Sequence, residues 1–166
     1  ANRTLTIAPN ADASGLTSIT LTVSDGIASQ STSFNLTVNA INDAPTLAAI
    51  AEQSVNEDGS LSSITLTLND IDSDINSLVV TASSSNPALV ADGALVITGT
   101  GANRQLSITP SADQSGTATI TIGVSDGESS QQVSFLLTVV AQNDPPTIAA
   151  LNDITIDEDT TSAAID

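Results

Sequence analysis

The side chains able to do chemistry in this 166-residue chain are almost all carboxylates. Nineteen acidic residues stand against two basic ones, Arg3 and Arg104, and there is no His and no Cys. The acidic residues are grouped rather than scattered: Asn42-Asp43, Glu57-Asp58, Asp70, Asp72 and Asp74, then Asp113, Asp126 and Asn143-Asp144. Without His or Cys, the usual Ser–His and Cys–His nucleophile pairs and most zinc sites are excluded. Carboxylates brought close together repel unless a cation sits between them. Ca²⁺ suits such a group, because it takes six to eight hard oxygens in loose geometry. Asp70, Asp72 and Asp74 alternate as in a helix–loop–helix calcium loop, but Ile75 stands where that loop needs Gly and Thr81 where it needs a bidentate Glu. That loop is therefore ruled out, while three alternating carboxylates remain.

Other chemistries fare worse. A net charge of −17 repels nucleic acid and anionic membrane surfaces and attracts cations. A glycosidase carboxylate pair works in a cleft rich in aromatics, and the only aromatics here are Phe34 and Phe135. Gly99-Thr100-Gly101 lacks the third glycine and the following helix of a dinucleotide loop. No catalytic constellation emerges, and the chain reads as non-enzymatic. No apolar run is long enough to span a bilayer and no signal peptide is evident, so the chain reads as a middle segment of something longer. With no Lys, a Lys–Asn isopeptide cross-link is impossible. Asn2-Arg3-Thr4 and Asn35-Leu36-Thr37 match the N-glycosylation pattern, which matters only in a eukaryotic host.

The elements that must position the carboxylates come from a repeat. Asn143-Asp144 lies 101 residues beyond Asn42-Asp43. The same shift maps Ser24-Asp25-Gly26 onto Ser125-Asp126-Gly127, Phe34 onto Phe135, and Glu57-Asp58 onto Glu158-Asp159, with no gap to the end of the chain. A period this long denotes tandem domains rather than solenoid turns. Residues 1–42 read as the closing part of one unit, with its last three strands. Residues 43–143 form one complete unit, and 144–166 open a third.

Within the complete unit the apolar period is two. Ile120, Ile122 and Val124 alternate with Thr119, Thr121 and Gly123, and Ile64, Leu66 and Leu68 alternate with Thr65 and Thr67. The pattern predicts seven strands, near 46–56, 61–69, 77–83, 87–98 (with a break at Asp92-Gly93), 104–109, 117–125 and 131–141. Nothing resembles a helix. Seven short antiparallel strands in about 100 residues make an all-β, immunoglobulin-like sandwich, with Phe34 and Phe135 at equivalent core positions.

In such a sandwich the loops after the second and sixth strands return to the pole where the chain enters. That pole would hold Asn42, Asp43, Asp70, Asp72, Asp74 and Asp126. The loops after the first and fifth strands lie at the exit pole, with Glu57, Asp58, Asp113, Asn143 and Asp144. Asn-Asp before proline is also a turn former, so a simple linker turn is the alternative reading of NDAPT. Asp25-Gly26 and Asp126-Gly127 likewise read as hairpin turns.

From ITLTVSDG through FNLTVNAINDAPT the sequence resembles the cadherin pattern V-x-A-x-D-x-G followed by D-x-N-D-N-x-P. Asp70-Ile71-Asp72 is similar to the cadherin D-x-D, and Glu57 sits where that family places a junctional Glu. Units ending in NDAP resemble more closely the bacterial cadherin-like and Ig-like tandem repeats of giant secreted adhesins and exoproteins. The resemblance covers the whole chain. It implies Ca²⁺ held by Asp43, Asp70, Asp72 and Asp126 at the first junction, and by Glu57, Asn143 and Asp144 at the second. The family's L-D-R-E pair is missing, with Asp113 as a positional substitute, and the third Asn of N-D-N is Ala44 or Pro145. The sequence ends at Asp166, before the place where the next unit would repeat Asp70-Ile71-Asp72, so the second site is expected to be incomplete and weak.

These readings together predict a non-catalytic, Ca²⁺-stiffened extracellular spacer of a bacterial surface or secreted protein. Its partners would be the neighbouring repeats of the same chain. A module binding polysaccharide or a partner adhesin, and a self-assembling filament or surface-layer subunit, are the alternatives.

Overall fold

The computed structural model describes residues 3–151, 153–162 and 164. Ten strands follow in order: β1 (Gly15–Ser24), β2 (Ser29–Val38), β3 (Thr46–Leu47), β4 (Gln53–Asn56), β5 (Leu61–Asn69), β6 (Val79–Ser84), β7 (Leu95–Thr98), β8 (Asn103–Ile108), β9 (Gly116–Ser125) and β10 (Ser130–Val140). The fold is an all-β sandwich. One four-stranded sheet runs β4-β10-β9-β6, and the facing one runs β3-β5-β8-β7. The alternating residues read from the sequence fill the space between them. Leu66, Leu106 and Ile108 of one sheet and Ile120, Ile122 and Leu137 of the other are fully buried. Each such side chain contributes about 1.5–3 kcal/mol by leaving water.

Three departures from the expected strands have local causes. The first predicted strand is two strands in different sheets: β3 pairs antiparallel with β5, whereas β4 pairs parallel with β10. The chain crosses from one sheet to the other over residues 48–52. The strand expected from 87 starts only at Leu95. Before it, the amides of Leu89 and Val90 donate to the Asn86 carbonyl, and a 3-10 turn covers Asp92–Ala94. Leu89 and Val90 are buried all the same, so their apolar character reflects a plug in the core rather than a ladder. Thirdly, β6 begins late because Ser77 bonds back to the Asp74 carbonyl and closes a turn.

β1 and β2 form a separate two-stranded sheet whose register repeats that of β9 and β10. Ile19 faces Phe34 as Ile120 faces Phe135. Burial differs, however. Phe135 is 4% exposed and Phe34 is 41% exposed, which corrects the expectation that both are core. No second sheet packs on β1 and β2 among the described residues. Residues 3–10, equivalent to the stretch containing β8, have no ladder partner and form no strand. The described residues beyond 140 also form no strand. At Gly123 a Cβ would lie 2.9 Å from the side-chain Oγ1 of Thr81, so a larger residue there displaces that hydroxyl.

Candidate metal centres

Two groups of carboxylates form where loops of the sandwich meet the incoming and outgoing chain. At the entry, the linker docks on two loops of the following sandwich. Asn42 Nδ2 donates to Asp126 Oδ2 at 2.9 Å and to Ser129 Oγ at 3.3 Å. The backbone amide of Asp43 donates to Asp72 Oδ2 at 2.6 Å. Pro45 and Leu47 are then buried, fixing the direction in which the chain enters.

The β5–β6 loop is shaped by its own first carboxylate. Asp70 Oδ1 accepts the amides of Asp72 and Ser73, at 2.9 and 2.7 Å. Asp70 Oδ2 is shielded from water and has no hydrogen-bond partner. A buried oxygen of this kind costs free energy unless something fills its place. The expected role of Asp126-Gly127 as a turn and its placement at the junction prove to be compatible. Asp126 Oδ1 accepts the amides of Glu128 and Ser129, closing the hairpin, while Oδ2 receives Asn42. The Ser129 amide, then Asn42, hold its carboxyl below the ordinary aspartate range.

Asp43 is pushed the other way. Partial loss of water raises it first, followed by the charges of Asp12, Asp72 and Asp70. Asp12 is a residue the sequence reading passed over at this pole. It lies in the turn before β1 with φ 59°, and with Asp43 and Asp72 it lines a cleft of about 320 Å³. The repeat shift could have found it, because Asp12 maps onto Asp113. Asp74, in contrast, turns to its own loop. Its Oδ1 accepts the backbone and side-chain amides of Asn76, both at 3.0 Å, which lowers its pKa.

At the exit, Asp58, Asp113 and Asp144 each present a carboxylate oxygen within 4.8 Å of the others. Two ligands on opposite sides of Ca²⁺ are separated by about 4.8 Å, twice a bond of roughly 2.4 Å, so oxygens no farther apart than this can reach one such ion. Asp58 and Asp113 both adopt left-handed backbone, at φ 60° and 55°, a region in which Asp is enriched among non-glycine residues. Glu57 is 8% exposed. Its Oε1 accepts the Gln142 amide, and its own amide donates to the Val140 carbonyl at 2.9 Å. Asn143 donates to the Asp144 carbonyl at 3.2 Å, as Asn42 does to Asp43 at 3.3 Å. Asp144 is raised like Asp43, by lost water first and then by Asp113, Asp58 and Glu57.

The donors are all oxygen and almost all anionic, a set suited to a hard divalent cation. They offer no thiolate or imidazole for a softer metal. The cluster at the exit can therefore hold a metal ion.

No curated protein matches the sequence. Several solved structures are similar. An endo-fucoidan hydrolase from glycoside hydrolase family 107 is 27% identical over 81% of this chain and 20% of its own, with a TM-score of 0.45. The titin domains Z1Z2 in complex with telethonin are 15% identical over 78% of this chain and 62% of theirs, with a TM-score of 0.51. Surface layer protein SbsC, domains 1–6, is 20% identical over 79% of this chain and 17% of its own, with a TM-score of 0.49. The chain thus spans about a fifth of the hydrolase, and the titin likeness concerns the fold alone. A family model described as a bacterial Ig domain matches residues 42–138. That match takes in β3 to β9 and most of β10, and on it the chain belongs to the bacterial Ig-domain family.

Proposed function

We propose that the chain is a non-catalytic spacer from an extracellular bacterial protein, in which consecutive Ig-like units are stiffened by Ca²⁺ at their junctions. The observation that carries this reading is the convergence of Asp58, Asp113 and Asp144 to within 4.8 Å. It draws on two turns of one unit and the linker to the next.

The two ends support each other through the 101-residue shift. The exit displays what the earlier unit supplies: Glu57, Asp58, Asp113, Asn143 and Asp144. The entry displays what the later unit adds: Asp70, Asp72 and Asp126, around Asn42 and Asp43. Superposed by the repeat, the halves make one set of oxygens around each linker. Ca²⁺ would bind this set with Kd about 10⁻⁴–10⁻³ M, the range of extracellular modules. Repulsion between the carboxylates favours a bent, mobile linker without the ion, and the ion converts that hinge into a strut. Asp74 serves its own loop.

Small-angle scattering of this chain with Ca²⁺ and with chelator tests the reading. A longer, stiffer particle with Ca²⁺ is expected, and an unchanged length and flexibility would sink it.

A further inference from the structure

The chain holds 19 carboxylates and two guanidinium groups, and one of those two is buried. Arg104 is 9% exposed, on the inward row of β8 with the fully buried Leu106 and Ile108. Burying a cation is costly unless its hydrogen bonds are directed to partners. In a protein this acidic, a carboxylate would be the obvious partner. Arg104 instead donates from Nη2 to the backbone carbonyl of Ile75, at 3.1 Å, and its Nε has no partner.

Ile75 follows directly on Asp74 and ends the acidic stretch of the β5–β6 loop. The other end of that stretch is pinned by Thr46, whose hydroxyl donates to the Asn69 carbonyl at 3.2 Å. Between the two anchors lie Asp70, which folds the loop around its own Oδ1, and Asp72, which takes the Asp43 amide. An aliphatic residue would fill the Arg104 position in the core at lower desolvation cost. What it would lack is the donor that reaches Ile75.

We infer that Arg104 is a positioning residue for the first cation site: its guanidinium fixes the far end of the β5–β6 loop so that Asp70 and Asp72 face the linker. The inference rests on the Ca²⁺ reading above. It makes one distinction that general stabilisation of the sandwich would not. Arg104 reaches only the entry pole, so its loss affects that site and spares the group at Asp58, Asp113 and Asp144.

The test is a Ca²⁺ titration of the whole chain followed by backbone-amide NMR. The amides of Asp72 and Ser73 report on the entry and that of Asp113 on the exit. In Arg104→Met the entry midpoint is expected to rise about tenfold, from loss of a charged hydrogen bond, with the exit midpoint unchanged. Arg104→Lys retains the charge and loses the planar fork, and should fall between the two. If Arg104→Met does not fold, the Lys variant carries the same comparison. An unchanged entry midpoint, or equal movement of both midpoints, overturns the role of Arg104. If neither set of amides titrates in the unsubstituted chain, the Ca²⁺ reading itself fails.

Discussion

The backbone amide of Asp113 donates to Asp58 Oδ1 at 3.2 Å, joining two turns that lie 55 residues apart. Both residues sit in left-handed backbone, so their carboxylates are held by main-chain geometry rather than by side-chain packing.

Asp58→Asn and Asp113→Asn separate charge from backbone, since Asn tolerates the left-handed region as Asp does. Each substitution is expected to weaken Ca²⁺ binding at the exit by an order of magnitude or more, about the loss of one of few anionic ligands. In chelator the same variants should melt higher than the parent, because a repelling charge has gone. Calorimetric titration and thermal melts measure the two effects, and a variant that lowers both would contradict the assignment.

Acid should act on the two kinds of aspartate in opposite senses. Asp43 and Asp144 are raised above the ordinary value of 3.8, whereas Asp25, Asp74 and Asp126 are lowered below it. For the raised pair, the folded state holds its protons to higher pH than the unfolded chain does. Their contribution is full below the ordinary value and is lost as pH rises through the folded pKa. For the lowered group, stability is present above the ordinary value and is lost as pH falls through the folded pKa. Without Ca²⁺, carboxyl carbon shifts should register Asp43 and Asp144 titrating before Asp126 on acidification. The reverse order would refute the electrostatics described for the linkers.

Asp12→Asn tests the residue found through the cleft. Removing its charge should bring Asp43 back toward its ordinary pKa and weaken Ca²⁺ at the entry only. Paired carboxyl and amide titrations of that variant would reveal either effect, and an unmoved Asp43 would exclude Asp12 from the site.

Phe34 and Phe135 are a matched pair in sequence and an unmatched one in packing. Phe135→Ala should cost about 3–5 kcal/mol, as for a buried aromatic. Phe34→Ala should leave the melting of the central sandwich nearly unchanged. Chemical denaturation of both variants decides this, and equal losses would contradict the burial described.

Much of this was legible in the residues because period-two alternation translates directly into strands. The second predicted strand, 61–69, coincides with β5. Illegible were the places where an apolar residue is buried outside a ladder, as at Leu89 and Val90, and where one extended stretch serves two sheets, as at β3 and β4. Alternation reports which side of a strand is buried, not which sheet it joins. The poles of the carboxylates could be assigned because loops alternate between the two ends of a sandwich. The fate of Asp74 could not, because its capture by Asn76 depends on a local turn. Asp12 was missed for want of carrying Asp113 back by one period.

The parallel pairing of β4 with β10 gives the unit a mechanical character. Tension along the chain pulls β4 toward the entry and β10 toward the exit. The four registered pairs from Gln53 with Leu137 to Asn56 with Val140 are therefore loaded in shear. Ladder bonds lying across the pull share the load and yield together, whereas a hairpin peeled from its end opens one pair at a time.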